Sequence, residues 1–211
     1  MTGLLIIGAG GHGKVVAETA IATGKWDNIG FLDDRFEQLT GAFPWPVIGP
    51  VDEAETYVAD YPEAVVALGD ASIRLELIAK LETIGYALPC IIHPSAWISP
   101  SASLGEGSVV LPMAAVNTAV RAGRGCIINT GATVDHDSIL GDGVHVCPGS
   151  HLAGEVEAGS KTWIGIGSCV IQQIRIGESV IVAAGAVVTN DIQSAVTVAG
   201  VPAEEISGGI K

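Results

Sequence analysis

The chain has 211 residues, of which 48% are hydrophobic and 16% charged, and its formal net charge is −13. That is enough apolar material for one or two packed domains and too much for a disordered chain. No apolar run reaches the roughly 18 residues of a membrane span. The negative balance disfavours nucleic acid as a partner, since phosphate backbones call for clustered lysine and arginine, but it allows a small anion held by backbone amides.

The N-terminal stretch MTGLLIIG lacks a positive region and a cleavage site. It reads as a first strand and not a signal peptide, and a cytoplasmic location is the expectation. Leu4–Ile7 is followed by Gly8-Ala9-Gly10-Gly11-His12-Gly13 and then by a helix over Lys14–Ala20. Glycines 8, 10 and 13 satisfy G-x-G-x-x-G, a turn that lets backbone amides at a helix N-terminus approach a phosphate. His12 is the odd member, because a turn needs no imidazole. A second strand, Ile29–Leu32, ends in Asp33-Asp34, with Asp33 placed to bond a ribose hydroxyl. The proline-broken loop Phe43–Gly49 reads as a packed connector, although it could also lie beside a ligand. A third strand, Ala64–Leu68, ends at Gly69-Asp70, a helix covers Ser72–Thr83, and Cys90–Ile92 reads as a fourth short strand. Three readings stay open here: a glycine turn with no ligand, half of an NAD site in an oxidoreductase, or a cradle for a single nucleotide. The α/β part is short for the two halves of a dinucleotide domain.

From Ile98 to Val188 every sixth residue is aliphatic or alanine, running through Val110, Val116, Ile128, Val134, Leu140, Val146, Leu152, Ile164 and Val170. Neither a helix nor a strand has that period, but a coil of flat sides does. The residue four beyond each anchor is usually small or β-branched, as at Ser108, Ala132, Ser138 and Thr162. The residue just after the anchor is often glycine, as at Gly105, Gly123, Gly141, Gly159, Gly165 and Gly177, which suggests corners with positive φ. The expected architecture is α/β plus all-β: a small Rossmann-like half domain over 1–93, then a parallel β-helix over 94–211.

The monotony breaks between Asn129 and Gly149, where histidines and aspartates gather. His136 with Asp137 beside it is a candidate general base, because a neighbouring carboxylate stabilises the protonated ring. Whether two adjacent residues can meet depends on a corner, since alternation along a strand would separate them. His145 and His151 are weaker candidates; they fall on successive sides and do not favour a shared metal. Cys90, Cys126, Cys147 and Cys169 show no C-x-x-C pairing and read as reduced thiols, and no metal is expected.

The hexads, VDHDSILGDGVHVCPGSHLAG, GAGGHGKVV, FLDD and the closing VAGVPAEEI together resemble the bacterial sugar acyltransferases of the hexapeptide-repeat superfamily that acetylate nucleotide-linked amino sugars. That resemblance implies a left-handed β-helix, a homotrimer, and acetyl-CoA as co-substrate lying between adjacent coils. It assigns His136 as the base and Asp137 as its acidic neighbour. It places His145 near the thioester and the backbone around Ile166 and Ala184 along the CoA channel. In the first domain it assigns Gly10, Gly11 and His12 to the nucleotide phosphates, Asp33 and Asp34 to the ribose and base, and Gly69 to a third contact. The implied reaction is acetyl transfer to the C4 amino group of a nucleotide-linked deoxysugar in bacterial glycan biosynthesis. O-acetylation of a sugar hydroxyl, an NAD-dependent oxidoreductase and a non-catalytic scaffold are the alternatives.

Overall fold

The computed structural model describes residues 2–207. Met1 and residues 208–211, which belong to the predicted ranges 1–93 and 94–211, lie outside the described residues.

The first unit is a four-stranded parallel sheet of β1 (Thr2–Ile7), β2 (Trp26–Leu32), β3 (Val47–Gly49) and β4 (Glu63–Val66), in the order β3-β2-β1-β4. This is one half of a doubly wound sheet. Helix α1 (Gly11–Thr23) covers one face and ends at Gly24, which adopts φ 69° to cap it. A short α2 (Phe36–Leu39) follows β2. Helix α3 (Ala71–Ile84) covers the other face; the Asp70 carboxylate caps it by accepting from the Ile73 amide at 2.9 Å.

Two elements differ from expectation. The loop over 43–49 contains an edge strand, because Val47–Gly49 pairs with β2 while Phe43 and Trp45 pack on Phe31. The prolines Pro44 and Pro46 precede the pairing and mask it in the sequence, as proline tolerates only a sheet edge. The predicted fourth strand does not join this sheet. Ile91–Ile92 pairs with Val109–Val110 and is the first strand of the coil.

From Ile91 to Val188 the coil consists of two-residue parallel strands on three sides, each pairing with the one 18 residues on, and the last turn is shorter, with Ile181–Val182 pairing with Thr197–Val198. The six-residue anchor is the second residue of each of these two-residue strands, as at Val110, Val134, Leu140 and Val146. These side chains form one continuous buried core with the small residues four beyond them. Full burial of each aliphatic contributes about 1.5–3 kcal/mol. The buried hydroxyls are satisfied between coils: Ser138 Oγ donates to the Ala153 carbonyl and accepts from the Val156 amide.

The corner expectation is corrected. Positive φ recurs with period six, but three residues past the anchor: Gly107, Met113, Ala119, Gly125, Gly131, Asp137, Gly143, Gly149, Glu155, Lys161, Gly167, Gln173, Ser179 and Gly185. The glycines directly after the anchor serve close approach of successive coils. A Cβ on Gly141 would stand 2.5 Å from the Ser160 amide nitrogen, and one on Gly159 2.6 Å from that of Glu178.

The α/β unit sits on one side of the triangular coil. Ile91 and Val109, on the outer face of the side that also carries Ile127–Ile128 and His145–Val146, share a core with Val16, Ala17 and Ala20 of α1. Among the described residues no helix is long and apolar enough to cross a membrane.

Candidate active site

His136 and Asp137 occupy the corner between the Thr133–Val134 and Ile139–Leu140 sides. Asp137 takes φ 59°, a conformation that aspartate tolerates better than most residues. That turn swings its carboxylate back, and Oδ2 lies 2.9 Å from His136 Nδ1. Both side chains are more than half exposed. The Asp137 hydrogen bond raises the His136 pKa above the ordinary histidine value, and the nearby carboxylates of Asp135 and Glu155 add to it. With Nδ1–H donated to Asp137, Nε2 carries the free lone pair.

Beneath the ring lies Gly154, one full coil on. A Cβ there would stand 2.5 Å from His136 Cε1 and 3.0 Å from Cδ2 and would also collide with Nε2. The imidazole therefore rests face-down on glycine backbone. Asp135, which accepts from the His136 amide at 2.8 Å and from Asn117 Nδ2 at 3.0 Å, fixes the approach to the corner. Neither Gly154 nor Asp135 was singled out from the sequence. The available signal was a glycine standing three hexads after His136.

The residues assigned to the nucleotide belong to the α/β unit, away from the His136 corner. Gly8, at φ 105°, and Gly13 are required by packing: a Cβ on Gly13 would strike the Gly8 carbonyl, and one on Gly8 would lie 2.7 Å from Leu68 Cδ2. Gly10, Gly11 and Gly69 differ, since a Cβ there would meet nothing within 4 Å. Their openness leaves room for a ligand against backbone at the α1 N-terminus. Asp33 accepts from the Ala9 amide at 2.9 Å and from Arg35 through two side-chain bonds, at 2.9 and 3.0 Å. The Arg35 hydrogen bond is the main cause of the Asp33 pKa falling to about 2. Asp34 accepts from the Val51 amide at 3.1 Å. A pocket of about 510 Å³ opens here, walled by Asp33, Asp34 and Arg35 on one side and Leu68, Ile73 and Leu77 on the other.

His12 and His145 turn toward the junction of the two units. His145 is 7% exposed, packs edge-on against Trp163 with ring centroids 4.4 Å apart, and its Nε2 lies 3.1 Å from Asn129 Nδ2. Burial, followed by the charge of Arg74, lowers His145 to about 3 and His12 to about 4. Both are neutral at pH 7. Among the described residues His12 Nε2 and His145 Nδ1 have no hydrogen-bond partner. Ile166 and Ala184 lie exposed next to Gly167 and Gly185, at a third corner where added Cβ atoms would meet open space. Among the described residues no cluster of three or more histidine, cysteine or acidic side chains could hold a metal.

These places are separate. The α/β unit covers one side of the triangle, and His136 sits at the vertex opposite that side. A single chain brings Gly10, Gly11, Asp33, Asp34 and Gly69 into one region and His136 with Asp137 into another.

Comparison with known proteins supplies the family. Residues 3–81 match the PglD N-terminal domain. A UDP-N-acetylbacillosamine N-acetyltransferase from Bacillus subtilis (strain 168) is 38% identical over 104 residues, a match that spans about half of each chain, 48% of both. The acetyltransferase domain of PglB from Neisseria gonorrhoeae FA1090, solved with acetyl coenzyme A, is 42% identical, with 97% of this chain and 98% of that one covered and a TM-score of 0.91. PerB from Caulobacter crescentus, solved with CoA and GDP-perosamine, is 38% identical, with 98% of both chains covered and a TM-score of 0.92. A full-length match at this identity, joined to the coil and the glycine loop described above, places the chain in the hexapeptide-repeat family of nucleotide-sugar N-acetyltransferases.

Proposed function

We propose that this chain transfers the acetyl group of acetyl-CoA to the amino group, at C4, of a nucleotide-linked amino-deoxysugar for bacterial glycan synthesis in the cytoplasm. The observation that carries the proposal is the 2.9 Å contact of His136 Nδ1 with Asp137 at an exposed corner, the ring seated on Gly154. The sugar amine attacks the thioester carbonyl carbon and a C–N bond forms. His136 Nε2 takes the proton the amine sheds. The C–S bond breaks, CoA leaves as the thiolate, and the His136 imidazolium returns the proton to the sulfur, which gives the CoA thiol and restores the neutral base. Asp137 holds the ring in the required tautomer and stabilises the imidazolium.

The division of labour follows the two units expected over 1–93 and 94–211, with Ile91–Ile92 already part of the coil. Gly10, Gly11 and His12 hold the phosphates, Asp33 and Asp34 the ribose and base, and Gly69 closes the cradle. His145, Ile166 and Ala184 line the path of CoA. The opposed placement of His136 and the α/β unit supports a homotrimer: a cyclic arrangement sets the His136 corner of one copy against the covered side of its neighbour. Acetyl transfer is favoured over hydride transfer because the sheet supplies only one mononucleotide half among the described residues.

The test is a panel of UDP-, GDP- and CMP-linked amino sugars with acetyl-CoA, followed by thiol release and mass spectrometry of the sugar. Release of thiol with a gain of one acetyl group on nitrogen is the expected result. No turnover with any member, or modification of a hydroxyl, overturns it.

A further inference from the structure

The one arginine of α3 has no exposed surface, and the reaction above makes no use of it. Arg74 lies in the first turns of the helix and reaches both units. Its Nη1 donates to the Leu68 carbonyl at 2.7 Å and to the Gly69 carbonyl at 2.9 Å. Its Nε donates to Gly125 at 2.8 Å and its Nη2 to Gly143 at 2.7 Å. Leu68 and Gly69 lie just past the end of β4, in the connection to α3 beside the nucleotide pocket; Gly125 and Gly143 are the same corner of two successive coils.

That corner is shaped to receive α3. Gly107, Gly125 and Gly143 hold φ between 60° and 72°. An added Cβ would lie 3.1 and 2.7 Å from Ile78 at the first two and 3.0 Å from Leu75 at the third. One and two coils further on, the same corner carries Lys161 and Ser179, also at positive φ. Glycine therefore stands where helix meets coil and gives way where it does not, so its use tracks packing and not only backbone conformation. The opposite flank of α3 presents Ile73 and Leu77 to the nucleotide pocket. One helix is thus both the wall of that pocket and the contact with the coil, and Arg74 bonds the two together.

We infer that Arg74 is a positioning residue for acetyl transfer: it sets the nucleotide cradle at a fixed height and angle on the coil, so that the tethered sugar reaches the thioester. Four bonds to carbonyls hold the charge without a carboxylate, and a planar fork does this better than an ammonium. Displacement of a bound group by about 1 Å costs up to about 100-fold in rate. The inference rests on the acetyltransferase reading given above.

The experiment compares the full-length chain with Arg74→Met and Arg74→Lys, assayed well below each variant's melting temperature. Arg74→Met is expected to raise KM for the nucleotide sugar about tenfold and lower kcat, with KM for acetyl-CoA nearly unchanged. Arg74→Lys, which keeps the charge and one donor group, recovers part of the loss. A purely structural arginine would lower the melting temperature and leave both KM values alone, and that result overturns the inference. Amide hydrogen exchange over residues 67–73 provides a second readout that needs no substrate: faster exchange in Arg74→Met is expected, and unchanged protection overturns the inference. If the wild-type chain acetylates no nucleotide sugar, the acetyltransferase reading fails by itself, and the strut is judged on exchange alone.

Discussion

Asp137 is held at φ 59°, and its carboxylate lies 2.9 Å from Nδ1 of His136, the residue immediately before it. On a straight strand these neighbours would face opposite ways. The corner brings them together, and the aspartate that turns the chain is also the one that charges the ring. His136→Ala is expected to lower kcat by about 10²–10⁴-fold with little change in either KM. Asp137 raises the His136 pKa. The base acts deprotonated, so kcat/KM rises with pH through that pKa. Asp137→Asn therefore moves the acidic inflection to lower pH and lowers the plateau, because the weaker base takes the proton less readily. An inflection left in place in the pH–rate profile would separate Asp137 from the base.

Gly154→Ala isolates the seat of the ring. Gly154 is not among the residues at positive φ, so alanine is allowed there by backbone; only the His136 ring must move. The variant is expected to keep its melting temperature within a few degrees while kcat falls at least about tenfold. Gly123→Ala is the contrast. Its Cβ would lie 2.7 Å from the Asp142 amide nitrogen, in the body of the next coil, and the variant is expected to lose stability before activity. Thermal melts beside initial rates distinguish the two.

The fold was legible where one residue has one task. The hexad anchors lie in the core of a three-sided coil whose strands pair 18 residues apart, which is three hexads, so their period showed the architecture directly. Glycine has two tasks in this coil, positive φ at one position and close approach at another, and sequence spacing alone does not separate them. The corner was accordingly read two residues early. Asp137 was legible as the acidic neighbour of His136 but not as a corner residue, and its reach depended on that corner. Arg74 was invisible, because its burial comes from docking α3 on the coil, a tertiary event with no periodic trace. His12 and His145 drew notice by residue type, yet only the packing of the two units shows that His145 is buried, His12 half-buried and both neutral.

The two kinds of corner glycine lead to a stability comparison. Gly131→Ala introduces a Cβ into open space, so it should cost only the left-handed penalty of about 1–2 kcal/mol. Gly125→Ala carries the same penalty and also drives its Cβ to 2.7 Å from Ile78 Cδ1, adding about 1–3 kcal/mol of overpacking under α3. Urea denaturation of the two variants gives the difference. It should come with a raised KM for the nucleotide sugar in Gly125→Ala alone, since only there does the helix move. Equal destabilisation would remove α3 from the account of that corner.

The neutral histidines make acid stability a report on the junction between the units. His12 falls to about 4 and His145 to about 3 from an ordinary 6.5, chiefly through burial and secondly through the charge of Arg74. In the unfolded chain both take up protons as pH drops below 6.5, while in the folded chain they do so only near 4 and 3. The unfolded state thus binds more protons across that window, and linkage makes stability fall as pH is lowered through it. The stability is complete above about pH 6.5 and declines toward pH 3–4. Replacing both residues by asparagine, in His12→Asn/His145→Asn, removes the two titrations. The variant should be less stable than wild type at pH 7, and its melting temperature should fall less steeply between pH 6.5 and 4. Parallel slopes for the two proteins would show that the acid sensitivity arises elsewhere, with the carboxylates that give the chain its net charge of −13 as the next candidates.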